Sequence, residues 1–343
     1  MKILLMSHES DIDGLGSVVL AKIAFKELDY KLYPDLNALD IDFRNLYHSQ
    51  KLSEYDKIII TDLALKQSSL DLINEDDTLK DKVIVLDHHQ ASIDLGLSLY
   101  PFTKIVVSES GIKTCGTKLF YNYLIENKLI KESSILDTFV EYTRLEDTWE
   151  WKNSIDGIDA HNLAVLLNKI GVSNYIECMY NKLISSNTFE YNPKEISLIN
   201  EQKKEYKDNL MDLWSKTLIL TDKFNNKFGI VLAEYNYRNE YAEYVKNLSD
   251  NKDIKYVVIV ALDKGFGQKS YRSIDKDFDV NEIAKHYGGG GHKSAASVNI
   301  SASQRKKLDT LKYEEKLKYI AFTKILDIKK ATIKVTFLSS AWR

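Results

Sequence analysis

Short apolar runs alternate with amphipathic stretches over the first 150 residues. The apolar runs are rich in β-branched residues and predict strands at 2–7, 57–65, 82–89 and 104–110. Other stretches place apolar residues at helical spacing and predict helices at 14–28, 116–129 and 134–145. Because the predicted strands are uniformly apolar, they indicate an α/β fold with a parallel sheet covered by helices on both faces.

The pattern changes twice after residue 150. A helix-rich stretch at about 160–216 ends in a charged segment that predicts a connecting helix. A second α/β set follows, with strands predicted at 218–222, 227–235, 255–262, 268–274 and 294–300 and helices at 240–249 and 280–287. The tail predicts a long helix and then a strand in TIKVTFL. We therefore expect one α/β domain at 1–150, a helical connector at 151–217, a smaller α/β domain at 218–302 and an extension at 303–343.

The composition is that of an ordinary globular protein. Hydrophobic residues make up 44% of the 343 residues, and the 14 glycines and 3 prolines are too few for a disordered or Pro-rich chain. Two distant cysteines argue against a disulfide framework and a Cys-based zinc site. The apolar N-terminal stretch is too short for a signal peptide, and no run is long enough to span a membrane. A cytoplasmic location without membrane contact is therefore expected.

The net charge of −3 conceals an asymmetry between the two halves. Residues 1–150 hold 26 acidic and 16 basic residues, a net −10, whereas the remainder holds 24 and 31, a net +7. An acidic front half and a basic back half fit one domain that collects cations and another that holds anions. Random variation of surface charge is the alternative interpretation.

Four groups of acidic and imidazole side chains are expected at strand ends, where parallel α/β sheets bind their ligands. They are His8, Asp11 and Asp13; Asp62; Asp87, His88 and His89; and Asp147. Such a set suits hard or borderline divalent ions, and its size suggests two ions sharing a carboxylate. An ion pair of this kind activates water and neutralises phosphate oxygens. Each group has a plainer interpretation: His8 as a loop residue, and Asp11, Asp13 or Asp62 as helix caps.

The segments HESDIDG, ITDLA, LDHHQ and EDTW, in this order, resemble the four motifs of the DHH phosphoesterase family. The segment SYRSIDKDFDVNEIAKHYGGGGHKSAAS resembles the family's glycine-rich DHHA1 substrate-binding domain. Together the two resemblances cover about residues 1–150 and 218–300. The family includes polyphosphatases, pyrophosphatases, the exonuclease of recombination, cyclic-dinucleotide phosphodiesterases and small oligoribonucleases. The length and the HxxDxDG opening are most similar to the last group.

The resemblance implies a role for each matched residue. His8, Asp11 and Asp62 would hold a first Mn²⁺ ion, for which Mg²⁺ or Co²⁺ could substitute. The second ion would be held by Asp13, Asp62, His88 and Asp147, with Asp62 bridging. Asp87 would orient a ligand histidine, and His89 would face the scissile phosphate as a donor or general acid. The spacing between His8 and Asp11 is one residue shorter than in many members and lacks their proline.

The glycine run before His292 predicts the place where a substrate is held. Glycines let backbone N–H groups approach an anion closely, and His292 or Lys293 adds a donor. We therefore expect Gly289, Gly290, Gly291 and His292 to bind substrate, with Arg272 on the preceding strand gripping a phosphate. A flexible turn is the plainer interpretation of the glycines.

Other aromatic and polar residues are interpreted as structural. His48, His161 and His286 lack metal-ligand spacing and are expected at the surface or in packing. Trp149 and Trp151 flank Asp147 and are expected to pack, with base stacking as the alternative.

The resulting hypothesis is a metal-dependent phosphodiesterase that removes nucleotides from very short RNA, with oligoribonucleotides or dinucleotides as its partners. The first alternative is hydrolysis of a cyclic dinucleotide, its linear product or 3′-phosphoadenosine phosphate. The second is an inactive nucleotide sensor, against which the intact ligand set argues. Polarity of cleavage and oligomeric state stay open, a homodimer being one option.

Overall fold

The first unit, Met1–Lys203, is built on a five-stranded parallel sheet. The computed structural model describes residues 1–248, 253–262 and 267–322. The strands of this sheet are β1 (Lys2–His8), β2 (Glu27–Tyr33), β3 (Lys57–Thr61), β4 (Val83–Asp87) and β5 (Thr103–Ile105). Their order is β2-β1-β3-β4-β5, and all neighbours run parallel. A two-stranded ladder of β6 (Ser108–Glu109) and β7 (Ile112–Lys113) follows.

Helices cover both faces of this sheet, so the predicted fold class is confirmed. They are α1 (Ile12–Ala24), α2 (Leu36–His48), α3 (Gln67–Glu75), α4 (Asp77–Lys80), α5 (Gln90–Asp94), α6 (Gly116–Glu126), α7 (Ser134–Asp147), α8 (Gly157–Ile170) and α9 (Val172–Ser185). One apolar core joins the sheet to α1, α6, α7, α8 and α9, and the other joins it to α2 and α3. Side chains on both sides of β1 are therefore fully buried, as in Leu4 and Leu5.

The chain reverses its direction of travel across the sheet at β1. From β1 it passes through α1 to β2 on one side, and after α2 it returns to β3 on the other side. Because α1 and α2 lie on opposite faces, a crevice opens at the carboxyl ends of β1 and β3. This is the position at which open α/β sheets bind ligands.

Strand β2 and the helices α2, α3, α4 and α5 of the first unit were not predicted from the sequence. The predicted helix at 14–28 ends at Ala24, and the chain then forms the edge strand β2. Helix α1 is buried nearly all round, so no polar face marks where it ends. Strand β2 has charged residues at Glu27, Asp29 and Lys31, of which Glu27 and Asp29 are exposed, and this weakens its apolar signal. Helix α2 follows it.

The second unit, from Lys204 onward, contains a six-stranded mixed sheet. Its strands are β8 (Leu218–Thr221), β9 (Lys227–Leu232), β10 (Ile254–Ala261), β11 (Gln268–Ser273), β12 (Gly290–Gly291) and β13 (Ala295–Asn299). The order is β12-β13-β11-β10-β9-β8, in which only β9 and β10 run parallel. This sheet also has an apolar core on each face.

The remaining helices are α10 (Pro193–Ser215), α11 (Arg238–Lys246), α12 (Val280–His286), α13 (Ala302–Asp309) and α14 (Tyr313–Phe322). The boundary between the two units falls within α10. The predicted long helix of the tail is broken into α13 and α14, and the predicted strand at 332–338 lies outside the described residues. The domain limits at 150, 217 and 302 stay predictions. In the described part of the chain, no helix is long and apolar enough to cross a membrane.

Candidate active site

The carboxyl ends of three adjacent strands place the predicted residues together. His8 ends β1, Asp62 follows β3, and Asp87 ends β4 with His88 directly behind it. Because β1, β3 and β4 are neighbours in a parallel sheet, their carboxyl ends meet at one edge. Asp147 is the exception to the expectation of strand ends, because it is the last residue of helix α7.

A first group of ligand atoms comes from His8, Asp11 and Asp62. The His8 Nδ1 atom lies 2.8 Å from Asp11 Oδ2 and 3.5 Å from Asp62 Oδ2. The other carboxylate oxygen of Asp11 accepts a hydrogen bond from the backbone N–H of Gly14 and caps α1. The capping interpretation of Asp11 is therefore correct for one of its oxygens, while the second oxygen faces His8.

A second group comes from Asp13, His88 and Asp147. The His88 Nε2 atom lies 3.6 Å from Asp13 Oδ2 and 3.6 Å from Asp147 Oδ2. Asp13 does not cap α1, which contains it. Its two oxygens accept the backbone N–H groups of Gly116 at 2.6 Å and Thr117 at 2.7 Å, at the start of α6.

Asp62 lies between the two groups. Its Oδ1 atom is 3.2 Å from His88 Nε2, while its Oδ2 atom faces His8. The residue is 2% exposed and has a left-handed backbone with φ 59°, an outlier of the kind that collects at functional sites. A Cβ atom at Gly116 would lie 2.8 Å from the Asp62 backbone nitrogen, so only glycine fits there.

The donor set fits divalent cations. The Oδ2 atoms of Asp62 and Asp147 are buried and accept no hydrogen bond from any residue that the structure describes. Burial, and then the charge of Asp13, raises the pKa of both carboxyls well above the usual value. A cation would remove this repulsion and use the unpartnered oxygens. Carboxylates with one imidazole in each group suit Mn²⁺ or Mg²⁺ better than a soft metal.

His8 carries the opposite charge beside these carboxylates. Burial lowers the pKa of His8, but its hydrogen bond to Asp11 and the nearby carboxylate of Asp62 outweigh burial and raise the pKa to about 11. The ring is therefore protonated in the metal-free protein at neutral pH. An ion that takes His8 as a ligand must displace this proton.

Asp87 holds His89 rather than His88. The Asp87 Oδ1 atom lies 2.7 Å from His89 Nδ1, and its Oδ2 atom accepts the Ser92 hydroxyl at 2.5 Å. Asp87 is fully buried, and its hydrogen bond to His89 outweighs burial and raises the pKa of that imidazole. The His88 and His89 rings are 4.4 Å apart, so the oriented ring of His89 lies beside the ligand groups.

In the second unit, Arg272 and the glycine run lie on the two sides of one strand. Arg272 is paired with Ala295 of β13, and Gly291 on the other side is paired with Ala296. Burial, and then the charge of Arg238, lowers the pKa of Arg272 to about 10, which leaves it charged at neutral pH. It donates hydrogen bonds to Asn239 Oδ1 and to the Tyr271 carbonyl, both at 2.9 Å.

The fold itself requires most glycines of the run before His292. A Cβ atom would lie 2.0 Å from the Ser297 carbonyl at Gly289 and 2.5 Å from the Ala295 carbonyl at Gly291. Gly288 has φ 84° and Gly291 has φ 151°. At Gly290 the nearest atom would be Asn281 Oδ1 at 3.9 Å, so the fold leaves open space there.

Comparison with known proteins agrees with this geometry. A family model for the N-terminal domain of the DHH family matches residues 2–141, and a model for the DHHA1 domain matches residues 226–318. The oligoribonuclease NrnB of Bacillus subtilis is 31% identical over 299 residues, which are 87% of this chain and 72% of that protein. The chain belongs to the DHH family.

Solved structures share the DHH fold. The exonuclease RecJ bound to manganese has a TM-score of 0.52 at 14% identity, covering 94% of this chain and 91% of RecJ. The pGpG-specific phosphodiesterase PggH of Vibrio cholerae has a TM-score of 0.50 at 13% identity, covering 94% and 99%. At these identities the likeness concerns the fold alone.

Several residues that support the DHH-domain site were not predicted. Gly116 and Thr117 hold Asp13, and Ser92 holds Asp87. Cys115, interpreted as a buried small residue, is fully buried and also caps α6 with its sulfur atom. A Cys-Gly-Thr sequence before an amphipathic stretch is a signal for a helix start, but it does not reveal which carboxylate the helix contacts.

In the DHHA1 domain the sequence did not indicate Arg238 and Tyr235. The guanidinium of Arg238 lies 3.8 Å from the centroid of the exposed Tyr235 ring and adds to the charge beside Arg272. His161, expected at the surface or in packing, stacks on Trp151 with ring centroids 4.2 Å apart. Its Nδ1 atom also lies within hydrogen-bond distance of the Glu146 carboxylate.

Proposed function

We propose that this protein is a metal-dependent phosphodiesterase that hydrolyses short oligoribonucleotides to mononucleotides. The observation that carries the proposal is a pair of buried oxygens without a hydrogen-bond partner, Asp62 Oδ2 facing His8 and Asp147 Oδ2 facing His88. A nucleotide sensor has no need of such a costly arrangement. The likeness to an oligoribonuclease over most of the chain favours short RNA as the substrate.

In this proposal two divalent ions occupy the DHH domain, with Mn²⁺ as the expected metal. His8, Asp11 and Asp62 would hold one ion, and Asp13, Asp62, His88 and Asp147 the other. Bound there, the ions would polarise a water molecule and neutralise phosphate oxygens. The three-atom groups formed by these residues support the assignment.

The chain's own residues would position the phosphate and move a proton. Asp87 fixes His89 through Nδ1, which leaves the Nε2–H of a protonated ring free to be aimed at a substrate oxygen. The raised pKa of His89 favours this protonated form of the ring. His89 would then donate to a phosphate oxygen or to the leaving group, with Ser92 keeping Asp87 aligned.

The DHHA1 domain would bind the end of the nucleotide. Arg272 has five N–H donors, and two of them are used by Asn239 and Tyr271. The others can bind a phosphate, with Arg238 adding positive charge. Gly290 supports an approach of the backbone to an anion, because the fold requires no glycine at this position.

The test is hydrolysis of labelled RNAs of two to ten nucleotides by the purified full-length protein with Mn²⁺. We expect mononucleotides from the shortest RNAs and loss of activity on chelation, restored by added Mn²⁺. Cyclic dinucleotides, linear pGpG and 3′-phosphoadenosine phosphate are assayed in parallel. Faster hydrolysis of one of these would replace the proposed substrate, and binding without any hydrolysis would indicate a sensor.

Gly290 gives a prediction about the glycine run. Gly290→Ala should fold normally, because its Cβ atom would meet nothing closer than 3.9 Å. If substrate approaches the backbone here, the added methyl group should lower kcat/KM for dinucleotides about 10- to 150-fold, the loss of one charge-assisted hydrogen bond. Gly289→Ala is the contrasting variant, because its clash with Ser297 should lower the melting temperature. An unchanged kcat/KM in Gly290→Ala would contradict substrate binding at this glycine.

A further inference from the structure

Trp149 is an exposed aromatic residue next to the metal-ligand group. It follows Asp147 by two residues, so its Cα atom lies at most about 7 Å from that of Asp147. The residue is 46% exposed. The two other described tryptophans, Trp151 and Trp214, are not exposed.

The backbone conformation of Trp149 is unfavourable for its side chain. Helix α7 ends at Asp147, Thr148 is its C-cap, and Trp149 then has φ 61° and ψ 12°. Glycine or asparagine is the usual residue at this left-handed position, because a Cβ atom is strained there. A large half-exposed ring recovers little of that cost by burial. Strain of this kind in a residue beside a reactive centre indicates a functional role.

The segment that carries Trp149 is held in place. The backbone N–H of Trp149 donates to the Glu146 carbonyl at 3.1 Å. Trp151 stacks on His161, and His161 contacts the Glu146 carboxylate at 3.1 Å. These contacts hold the backbone on both sides of Trp149, so the position from which its ring extends is fixed.

Positive charge lies beside the same ring. The Lys152 Nζ atom is 5.0 Å from the centroid of the Trp149 ring, and the Lys113 Nζ atom donates to the Thr148 carbonyl at 3.5 Å. An ammonium group over an exposed indole, a second one on the neighbouring backbone and a carboxylate cluster close by favour a ligand that combines a phosphate with a flat ring. A nucleotide has this combination.

We propose that Trp149 stacks on the nucleobase of the nucleotide next to the scissile phosphate. The inference rests on the proposed function and adds the contact that selects nucleotides over other phosphodiesters. Stacking on an indole tolerates every base, because each base has a π-face. The contact therefore predicts preference for a base at this position without preference for its identity.

Three variants at this position separate stacking from folding. Trp149→Ala should raise KM for a dinucleotide about 5- to 30-fold, the lower part of the range for one stacked base, while kcat changes little. Trp149→Phe should keep most of the affinity. Trp149→Gly should raise KM for the dinucleotide as much as Trp149→Ala does. Its melting temperature should be equal to or above that of wild type, because glycine adopts the left-handed backbone without strain. Tyr30→Ala is the matched control, an exposed aromatic residue in the middle of β2.

An abasic dinucleotide and a fluorescence titration complete the test. Wild type and Trp149→Ala should hydrolyse the abasic substrate equally, and adenosine 5′-monophosphate should quench tryptophan fluorescence in wild type but much less in Trp149→Phe. If wild type hydrolyses dinucleotides and Trp149→Ala has an unchanged KM, the stacking inference is wrong and the proposed function stands. If wild type hydrolyses no oligonucleotide, the proposed function is wrong, and quenching by the mononucleotide would still support a base platform at Trp149.

Discussion

Replacement of Asp62 by asparagine is expected to reduce hydrolysis at least about a hundred-fold while leaving the metal-free protein folded and more heat-stable. Asp62 is buried among Asp13 and Asp11, and this environment raises the pKa of its carboxyl. A buried acid with a raised pKa destabilises the native state at pH values above its unfolded pKa. Removal of that charge should therefore stabilise the metal-free protein near neutral pH, and the gain should vanish as the pH falls towards 4.

The same substitution should remove the stabilisation by metal. In wild type, Mn²⁺ at about 100 times its Kd should raise the melting temperature by roughly 5–10 °C. Asp62 faces His8 with one oxygen and His88 with the other, so Asp62→Asn should weaken both groups of ligands. Melting curves with and without Mn²⁺, and metal content measured after dialysis, give the result without an activity assay.

Asp40→Asn is the control for loss of a buried carboxylate elsewhere in the unit. Asp40 lies on α2, is 4% exposed and accepts the backbone N–H of Lys66 at 3.0 Å. Asp40→Asn should lower the melting temperature but keep both the activity and the rise in melting temperature that Mn²⁺ causes. More than a few per cent of wild-type kcat in Asp62→Asn, or an undiminished shift with Mn²⁺, would overturn the two-ion assignment.

The sequence allowed the parallel sheet to be predicted because β1, β3 and β4 are buried on both faces. Runs such as IIIT and VIVLD have no polar position to interrupt them. The edge strand β2 was missed for the converse reason, since Glu27 and Asp29 face solvent and break the apolar run. Local periodicity thus reports the buried centre of a sheet better than its rim.

The candidate ligands could be predicted because they follow strands whose carboxyl ends must converge. The residues that hold these ligands in place could not be predicted, because they act through contacts between distant segments of the chain. Asp13 and Gly116 are 103 residues apart, and neither position suggests the other in the sequence. Asp87 pairs with His89 instead of His88 because the His89 ring points back towards Asp87. Two adjacent histidines in a sequence do not reveal which of their rings will do so. Asp147 reaches the site from a helix, which the expectation of strand ends did not include.

Arg272→Ala is expected to separate substrate binding from chemistry. Arg272 is a partly buried cation that donates hydrogen bonds to an amide oxygen and a carbonyl oxygen, and the charge of Arg238 repels it. A substrate phosphate would supply a charged acceptor that Asn239 and Tyr271 do not. Its loss should cost about 1.5–3 kcal/mol of binding, or roughly 10- to 150-fold in kcat/KM for dinucleotides.

The comparison between two substrates decides the role of Arg272. Bis-p-nitrophenyl phosphate has no nucleotide end to be held, so Arg272→Ala should hydrolyse it almost normally and keep its metal. His292→Ala, at the end of the glycine run, should give the same pattern with a smaller loss. Arg305→Ala is the matched control, since Arg305 is also partly buried and donates to a backbone carbonyl, that of Leu262. Equal losses on the dinucleotide and the generic ester would show that Arg272 serves the chemical step, because a group that only holds the nucleotide end cannot slow a substrate that lacks one.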